Sequence, residues 1–295
     1  MAWFEQFPTL DADTLRALKL AIDEGFRAFT RRHGEAVEGW FEPLQRLLIS
    51  TETALLATPW PLVITAAALL TWGASRSWRI TAGAVLTLLA VGVLGMWDDT
   101  LKTVAMIAVS TLLAVAIGVP VGVLMSRSNR LQSALTPLLD VMQTLPSFVY
   151  LIPVVMLLGI GRVPGLLAVV VYALPPMIRL TNLGLREVDR DLLEVADAFG
   201  ASPRQRLLGV QLPLALPTIM AGVNQTIMMA LAMVVIASMI GVQGLGQPVL
   251  KAISNQYFAL GLFNGLAIVG IAIVFDRVSQ AWGWRLQRHR RQADG

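Results

Sequence analysis

Long uncharged, apolar intervals separated by charged residues dominate the chain after about residue 52. A helix that crosses a bilayer needs roughly 20 mostly apolar residues. Six of the intervals are 16 to 24 residues long, and a seventh of 44 residues lies between Arg206 and Lys251. We interpret the longest as one span, with a break at Pro213 and Pro217 near its start and a loop at its end. The pattern predicts seven transmembrane helices, at 53–75, 80–97, 103–126, 141–161, 163–178, 216–241 and 252–275.

The composition agrees with an all-α, polytopic membrane protein. Only 14% of the residues are charged and 56% are hydrophobic, whereas soluble domains average about 25% charged residues. This excludes an ordinary soluble enzyme, a disordered protein and a nucleic-acid binder. The chain has no cysteine, and its two histidines, His33 and His289, lie outside the apolar spans. Cysteine chemistry and a histidine metal site within the membrane are therefore excluded.

Basic residues are distributed unevenly among the loops. One set of loops, together with the C-terminal tail, carries 14 arginines, whereas the opposite short loops carry only Lys102, Arg162 and Lys251. The positive-inside rule places the arginine-rich set in the cytoplasm. Seven spans then predict a cytoplasmic C-terminus and an N-terminus on the opposite side of the membrane. The 14 arginines are Arg76, Arg79, Arg127, Arg130, Arg179, Arg186, Arg190, Arg204, Arg206, Arg277, Arg285, Arg288, Arg290 and Arg291.

The segment 1–52 precedes the first span and has no early apolar run typical of a signal peptide. Apolar residues recur at helical spacing before and after Gly34, from Leu15 to Phe29 and from Val37 to Leu48. We expect two amphipathic helices that lie on the outer leaflet of the bilayer. A helical hairpin packed on the protein itself is the alternative.

The predicted cytoplasmic loop 183–212 has the signals of a compact helix–turn–helix. Leu192, Val195, Ala196 and Phe199 form an apolar helical stripe. Gly200 can end that helix in a left-handed conformation. A second helix can begin with Ser202 as its N-cap and Pro203 at its first position. The alternative is a helical hairpin that binds no partner.

The spacing of this loop resembles the EAA loop of ABC-importer permeases. Glu194-Val195-Ala196 is followed after three residues by Gly200, and after nine more by Val210-Gln211-Leu212-Pro213. Val195 departs from the pattern, which prefers alanine there. The resemblance implies that the loop docks into a groove on an ATPase subunit and transmits its motion. The implied coupling residues are Glu194, Val195, Ala196, Asp197, Phe199, Gly200, Ala201, Ser202, Pro203, Arg204, Leu212 and Pro213.

Further segments are similar to the glycine betaine/proline (and choline) subfamily of these permeases. The similar segments are 137–151, 159–165, 173–176, 221–226, 233–240 and 244–247. The resemblance implies a type I importer fold, two copies of the permease, two ATPase subunits and a periplasmic binding protein. It divides the chain into a periplasmic segment 1–52, two peripheral spans in 53–97, a transport core 98–277 and a basic cytoplasmic tail 278–295.

Two absences are consistent with this family. The chain has no Gly-x-x-x-x-Gly-Lys-Ser/Thr run for binding ATP. ATP and magnesium are therefore expected on the partner ATPase, and this chain is expected to need no cofactor or metal and to be no enzyme. No Asp, Glu, Lys or His lies near the middle of a predicted span, which disfavours an ion-coupled carrier. A membrane scaffold or receptor that transports nothing is a further alternative.

Polar, aromatic and helix-breaking residues within the spans are candidates for the translocation path. Polar side chains are costly against lipid and should face the interior or a cavity. Aromatic faces attract a quaternary ammonium group, and prolines free backbone carbonyls. Interhelical bonding, packing and static kinks are the alternatives, and Asp140 is expected to cap a helix rather than bind a cation. The candidates are Gln143, Pro146, Phe148, Tyr150, Tyr172, Pro175, Pro176, Asn224, Gln225 and Ser238.

These candidates do not form a recognisable aromatic cage with carboxylate donors. We therefore expect solute selectivity to reside mainly in the binding protein. The sequence does not distinguish betaine, choline, carnitine and proline, and another small amino-acid-like solute is an alternative.

Overall fold

The computed structural model describes the backbone of residues 9–291, and their side chains except those of 35 and 284–291. Within this range the chain is helical and contains no strand. The first eight residues of the predicted N-terminal segment and the last four of the basic tail lie outside the described residues.

The N-terminal segment forms one helix, α1 (Ala12–Ala57), and the predicted break near Gly34 is wrong. A single glycine costs a helix only about 1 kcal/mol relative to alanine, which the flanking helix formers can offset. The C-terminal part of α1 packs on the bundle, where Leu48 is buried. Leu18 and Ile22, further back along the helix, are exposed.

The first two predicted spans are shorter than expected. The chain turns by 111° at Thr58 and Pro59 before α2 (Trp60–Ser75), because a residue that precedes proline avoids the helical region. Helix α3 (Trp78–Val93) ends before the predicted limit of 97, in a turn that contains Gly95.

The next helices frame the centre of the molecule. Helix α4 (Trp97–Arg127) contains the predicted span 103–126. The predicted span 141–161 is not one straight helix, because the chain turns by 109° at Leu145 and Pro146, after the end of α5 (Asn129–Thr144). A 3₁₀ turn (Ser147–Tyr150) and α6 (Leu151–Leu158) follow. Helix α7 (Arg162–Arg186) extends beyond the predicted limit of 178.

The predicted cytoplasmic loop contains α8 (Arg190–Ala198) and the short α9 (Pro203–Gln205). A π-helical turn (Arg206–Gln211) then leads without interruption into α10 (Leu212–Ala237). The predicted break at Pro213 and Pro217 is therefore wrong. Pro213 comes two residues after the π turn, and a local π-helical adjustment of this kind lets a helix continue past a proline.

The predicted loop exit after α10 is confirmed. A 3₁₀ turn (Ser238–Ile240) ends the helix, and an irregular segment leads to α11 (Gly246–Asn255). The last long helix, α12 (Phe258–Arg291), begins later than the predicted 252.

Helices α4, α7 and α10 form the core, with α7 the most buried of the long apolar helices. Glycines allow these helices to approach closely. A Cβ at Gly122 of α4 would lie 2.8 Å from the Ile178 carbonyl oxygen of α7. Similarly, a Cβ at Gly184 of α7 would lie 3.2 Å from the Ala215 carbonyl oxygen of α10. Small residues at helix contacts are typical of membrane bundles.

Within the described range, four helices are long and apolar enough to cross a membrane. These helices are Trp97–Arg127, Arg162–Arg186, Pro203–Ile240 and Phe258–Gly283. Counting each of the two bent pairs as one span raises the number to six, and Trp78–Val93 is a shorter apolar helix. The count of seven spans therefore stays a prediction.

Candidate coupling segment and translocation path

The end of α8 is a complete Schellman motif centred on Gly200. Gly200 adopts φ +75°, a left-handed conformation that glycine reaches without a steric penalty. The Gly200 N–H donates to the Asp197 carbonyl at 2.9 Å, and the Ala201 N–H donates to the Ala196 carbonyl at 3.0 Å. These bonds satisfy carbonyls that a helix end leaves open, so the predicted turn at Gly200 is confirmed.

The second helix of this segment begins with a capping box. The Gln205 N–H donates to Ser202 Oγ, and the Ser202 N–H donates to the Gln205 side chain at 2.8 Å. Pro203 occupies the first helical position, as predicted. Arg206 pairs with Asp197 at 2.7 Å and ties the two helices together. The segment is therefore a compact unit whose angle is set by local bonds.

One face of this unit is apolar and exposed. Phe199 is 88% exposed and Val195 is 53% exposed, whereas Ala196 is half-buried. Glu194 and Arg204 are also exposed. An exposed apolar patch with charged neighbours is typical of a protein interaction site. Because Leu212 and Pro213 begin α10 directly after the π turn, movement of this unit would pass straight into a core helix.

Part of the predicted path lies where α5 breaks. The Tyr150 hydroxyl donates to the Met142 carbonyl, and the Tyr150 ring meets the Tyr172 ring edge to face at 5.9 Å between centroids. Gln143, Pro146 and Phe148 are exposed and precede Tyr150 closely in the chain. The tyrosine pair is engaged in packing, whereas the other three side chains remain accessible.

The remaining path candidates lie elsewhere. Asn224 donates to Asp276 Oδ1 of α12 at 2.9 Å and accepts a hydrogen bond from Ser279 Oγ at 2.6 Å. Gln225 is exposed, and Ser238 is buried and donates to the Val234 carbonyl at 3.1 Å. Two prolines of α7, Pro175 and Pro176, are buried. The ten candidates therefore do not form one cluster in the described chain.

Two charge pairs connect distant parts of the chain. Asp140 lies in the last turns of α5 and pairs with Arg179 of α7, so the expectation that it caps a helix start is wrong. Buried Glu52 of α1 pairs with Arg162 at 3.0 Å. Sequence reasoning did not detect either pair, because no local pattern relates residues so far apart. Within the described residues, no group of three or more His, Cys, Asp or Glu side chains could hold a metal ion.

The comparison with protein families decides the identity of this helical core. Residues 114–288 match the family model described as "Binding-protein-dependent transport system inner membrane component". The chain belongs to this family. As a member, it is a permease of an ABC importer, and the exposed unit at 190–211 lies within the matched part.

Individual permeases are similar over most of the chain. The glycine betaine/proline betaine transport system permease protein ProW of Escherichia coli is 45% identical over 95% of this chain and 79% of its own length. The glycine betaine/carnitine transport permease protein GbuB of Listeria monocytogenes is 44% identical over 83% of this chain and 89% of its own.

A solved structure supports the same fold at lower identity. A chain of the MetNI methionine ABC transporter in an inward-facing conformation has a TM-score of 0.57 and 23% identity. The likeness covers 62% of this chain and 92% of that one, so it concerns the permease core.

Proposed function

We propose that this permease imports a small solute with a methylated ammonium group, of the glycine betaine, proline betaine, carnitine or choline class. The observation that carries the proposal is the 45% identity with ProW over 95% of this chain. The names of both relatives reported above include glycine betaine. Solute capture belongs to a periplasmic binding protein, because the path candidates do not assemble into a cage for a quaternary ammonium.

The helical unit formed by residues 190–211, the docking unit, binds an ATPase subunit. Its Schellman turn and capping box fix its shape, and its exposed Val195 and Phe199 supply an apolar contact surface. ATP and magnesium bind the ATPase, and this chain contributes no catalytic residue. An ion-coupled carrier is the weaker alternative because Asp276 is held by Asn224 and Gln280.

Two copies of the permease and two ATPases form the importer, with the path between the copies. Gln143 and Gln225 are exposed along the apolar helices of the single chain. An amide side chain is costly against lipid, so a second copy or a water-filled path is the better neighbour. Phe148, at 56% exposure beside Gln143, offers an aromatic face to a passing cation.

The permease lies in the bacterial inner membrane with its N-terminus in the periplasm. The bundle places Arg127, Arg186 and Arg206 around one cavity, at the end of the molecule that carries the docking unit. An ATPase requires the cytoplasm, and the positive-inside rule assigns the same side to these arginines. Helix α1 then lies on the periplasmic side, where exposed Leu18 and Ile22 face the outer leaflet.

The direct test is uptake into proteoliposomes that contain this permease, its ATPase and its binding protein. Radiolabelled glycine betaine, choline, carnitine and proline are compared, with methionine as the control solute. We expect ATP-dependent accumulation of at least one methylated ammonium solute and none of methionine. Methionine uptake alone, or uptake that persists without ATP, would contradict the proposal.

Docking is tested separately with Gly200→Asp, matched by Gly25→Asp on exposed α1. A Cβ at either glycine meets no atom within 4 Å. Aspartate tolerates the left-handed conformation of Gly200 better than most residues do, at a cost of about 1 kcal/mol. We expect Gly200→Asp to insert normally and to lose ATPase binding and uptake, because the new charged side chain meets the ATPase groove. Glu194→Ala should do less, since an exposed charge pair contributes about 0–1 kcal/mol.

Uptake is normalised to the amount of permease inserted in the membrane. Equal uptake by Gly200→Asp and by Gly25→Asp, at equal abundance, would show that this unit does not couple the ATPase to transport.

A further inference from the structure

A cavity of about 460 Å³ lies between the docking unit and the ends of α4 and α7. Four arginines line it, namely Arg127 of α4, Arg186 of α7, Arg190 of α8 and Arg206 of the π turn. No acidic residue is among its lining side chains. A concave site with four cations from four elements has the chemistry of an anion site.

Within the described residues, an ion pair neutralises one of these four arginines. Arg206 is paired with Asp197, yet its buried Nε has no hydrogen-bond partner. Arg186 donates only to neutral oxygens, those of the Asn129 and Asn182 side chains and the Met125 carbonyl, at 2.8–3.0 Å.

The other two cations, Arg127 and Arg190, form no ion pair within the described residues. Asp197 is therefore the one acid that pairs with any of the four arginines within the described residues, and the acids Glu187, Asp189 and Asp191 lie outside the lining. The lining side chains themselves carry a net positive charge.

The two faces of α8 separate this cavity from the surface proposed to meet the ATPase. Arg190, Leu193 and Asp197 share one helical face by spacing. Arg190 and Leu193 line the cavity. Asp197 accepts a hydrogen bond from Arg206, which is itself a lining residue. Val195 and Phe199 are exposed outside the cavity. An ATPase side chain would have to reach past α8, whereas a small anion could enter at the ends of the spans.

We propose that this cavity binds a phosphate-bearing anion. Guanidinium groups bind phosphate oxygens in pairs of parallel hydrogen bonds, and neither Arg127 nor Arg190 has an ion-pair partner among the described side chains. The phosphate belongs either to the headgroup of an anionic lipid or to free phosphate. Only the lipid source depends on the proposed orientation, in which these helix ends meet the cytoplasmic leaflet. A bound phosphate would join α8 to α4 and hold the docking unit against the core, whichever solute is carried.

The test uses purified, delipidated full-length permease at constant ionic strength. Inorganic phosphate replaces chloride in a calorimetric titration, and phosphatidylglycerol is compared with phosphatidylcholine by native mass spectrometry. We expect saturable binding of phosphate or of phosphatidylglycerol, weakened about tenfold or more in Arg127→Gln/Arg190→Gln. The control, Arg79→Gln/Arg130→Gln, removes two exposed cations outside the cavity and should retain binding within about twofold.

The calorimetric titration and the lipid comparison together identify the source of the phosphate. Binding that depends on Arg127 and Arg190 in either measurement supports the site. Arg190→Gln alone removes one exposed, unbonded cation and replaces the double variant if that variant does not fold. Equal weakening by the control variant, or no binding of either ligand to the parent, would overturn the proposal. If neither ligand binds and only the cavity variant loses the ATPase, the arginines receive an ATPase carboxylate and the phosphate site is wrong.

Discussion

A glycine in the contact between α4 and α7 and a glycine in open space on α12 should respond in opposite directions to substitution by alanine. A Cβ at Gly122 would lie 2.8 Å from the Ile178 carbonyl oxygen and 2.6 Å from Thr181 Cβ. Both neighbours are backbone or branched atoms that no rotamer change can move away. A Cβ at Gly265 of α12 would meet no atom within 4 Å.

The size of the effect follows from these distances. An ordinary carbon–carbon contact is about 3.5 Å or longer, so the 2.6 Å approach to Thr181 Cβ requires the two helices to separate by about 0.9 Å in Gly122→Ala. A gap of that size forfeits up to about half of each neighbouring dispersion contact, and overpacking of a core costs about 1–3 kcal/mol. Alanine returns up to about 1 kcal/mol of helix propensity. We therefore expect Gly122→Ala to lower the free energy of unfolding by about 1–2 kcal/mol.

Gly265→Ala gains the same helix propensity without a collision, so its free energy of unfolding should stay equal or rise by up to about 1 kcal/mol. Tryptophan fluorescence during thermal unfolding in detergent measures both variants, since the chain has 8 tryptophans. The midpoints should differ by roughly 2–6 °C, in the order Gly265→Ala above Gly122→Ala. If Gly122→Ala unfolds at or above the midpoint of Gly265→Ala, the close approach of α4 and α7 is not a packing constraint and the reasoning fails.

Two further predictions concern α1 and the orientation of the chain. Glu52→Gln should lower the free energy of unfolding by about 1–3 kcal/mol, because it leaves Arg162 without its buried ion-pair partner. The control, Glu42→Gln, changes an exposed acid of the same helix and should alter the free energy of unfolding by less than about 1 kcal/mol in the same thermal assay. Equal midpoints for these two variants would show that the buried pair contributes nothing. Ala12→Cys and Ala293→Cys each introduce the only thiol of the chain, and an impermeant thiol reagent should label position 12 but not position 293 in intact spheroplasts. The reverse labelling would invert the proposed orientation.

The residues by themselves determined the features that depend on near neighbours. The left-handed turn at Gly200, the cap at Ser202 and the helix start at Pro203 were predicted and are present. Each depends on bonds between residues at most five positions apart, so the local sequence is sufficient. The apolar intervals likewise predicted where α4 and α7 lie, because a helix in lipid must be apolar along its length.

Tertiary structure decided where a helix continues past a glycine or proline and where the chain bends. Gly34 and Pro213 are helix breakers in isolation, yet α1 and α10 continue through or beside them, since a single breaker costs less than a continuous helix gains. Pro59 and Pro146, which are the same kind of signal, do stand at sharp bends. The sequence does not rank these four sites, because each outcome depends on whether the flanking helices together gain more than the single breaker costs.

The charged sites show the same division most clearly. Glu52 and Arg162 are far apart in sequence, and the four arginines of the cavity come from four separate elements. Counting arginines by loop correctly indicated that they share one end of the bundle. It did not indicate that Arg186 and Arg206 are held by partners, whereas Arg127 and Arg190 form no ion pair with any side chain that the structure describes. Only the packing of α4, α7, α8 and the π turn brings these side chains around one space, because pairing depends on distances of a few ångströms that no periodicity encodes.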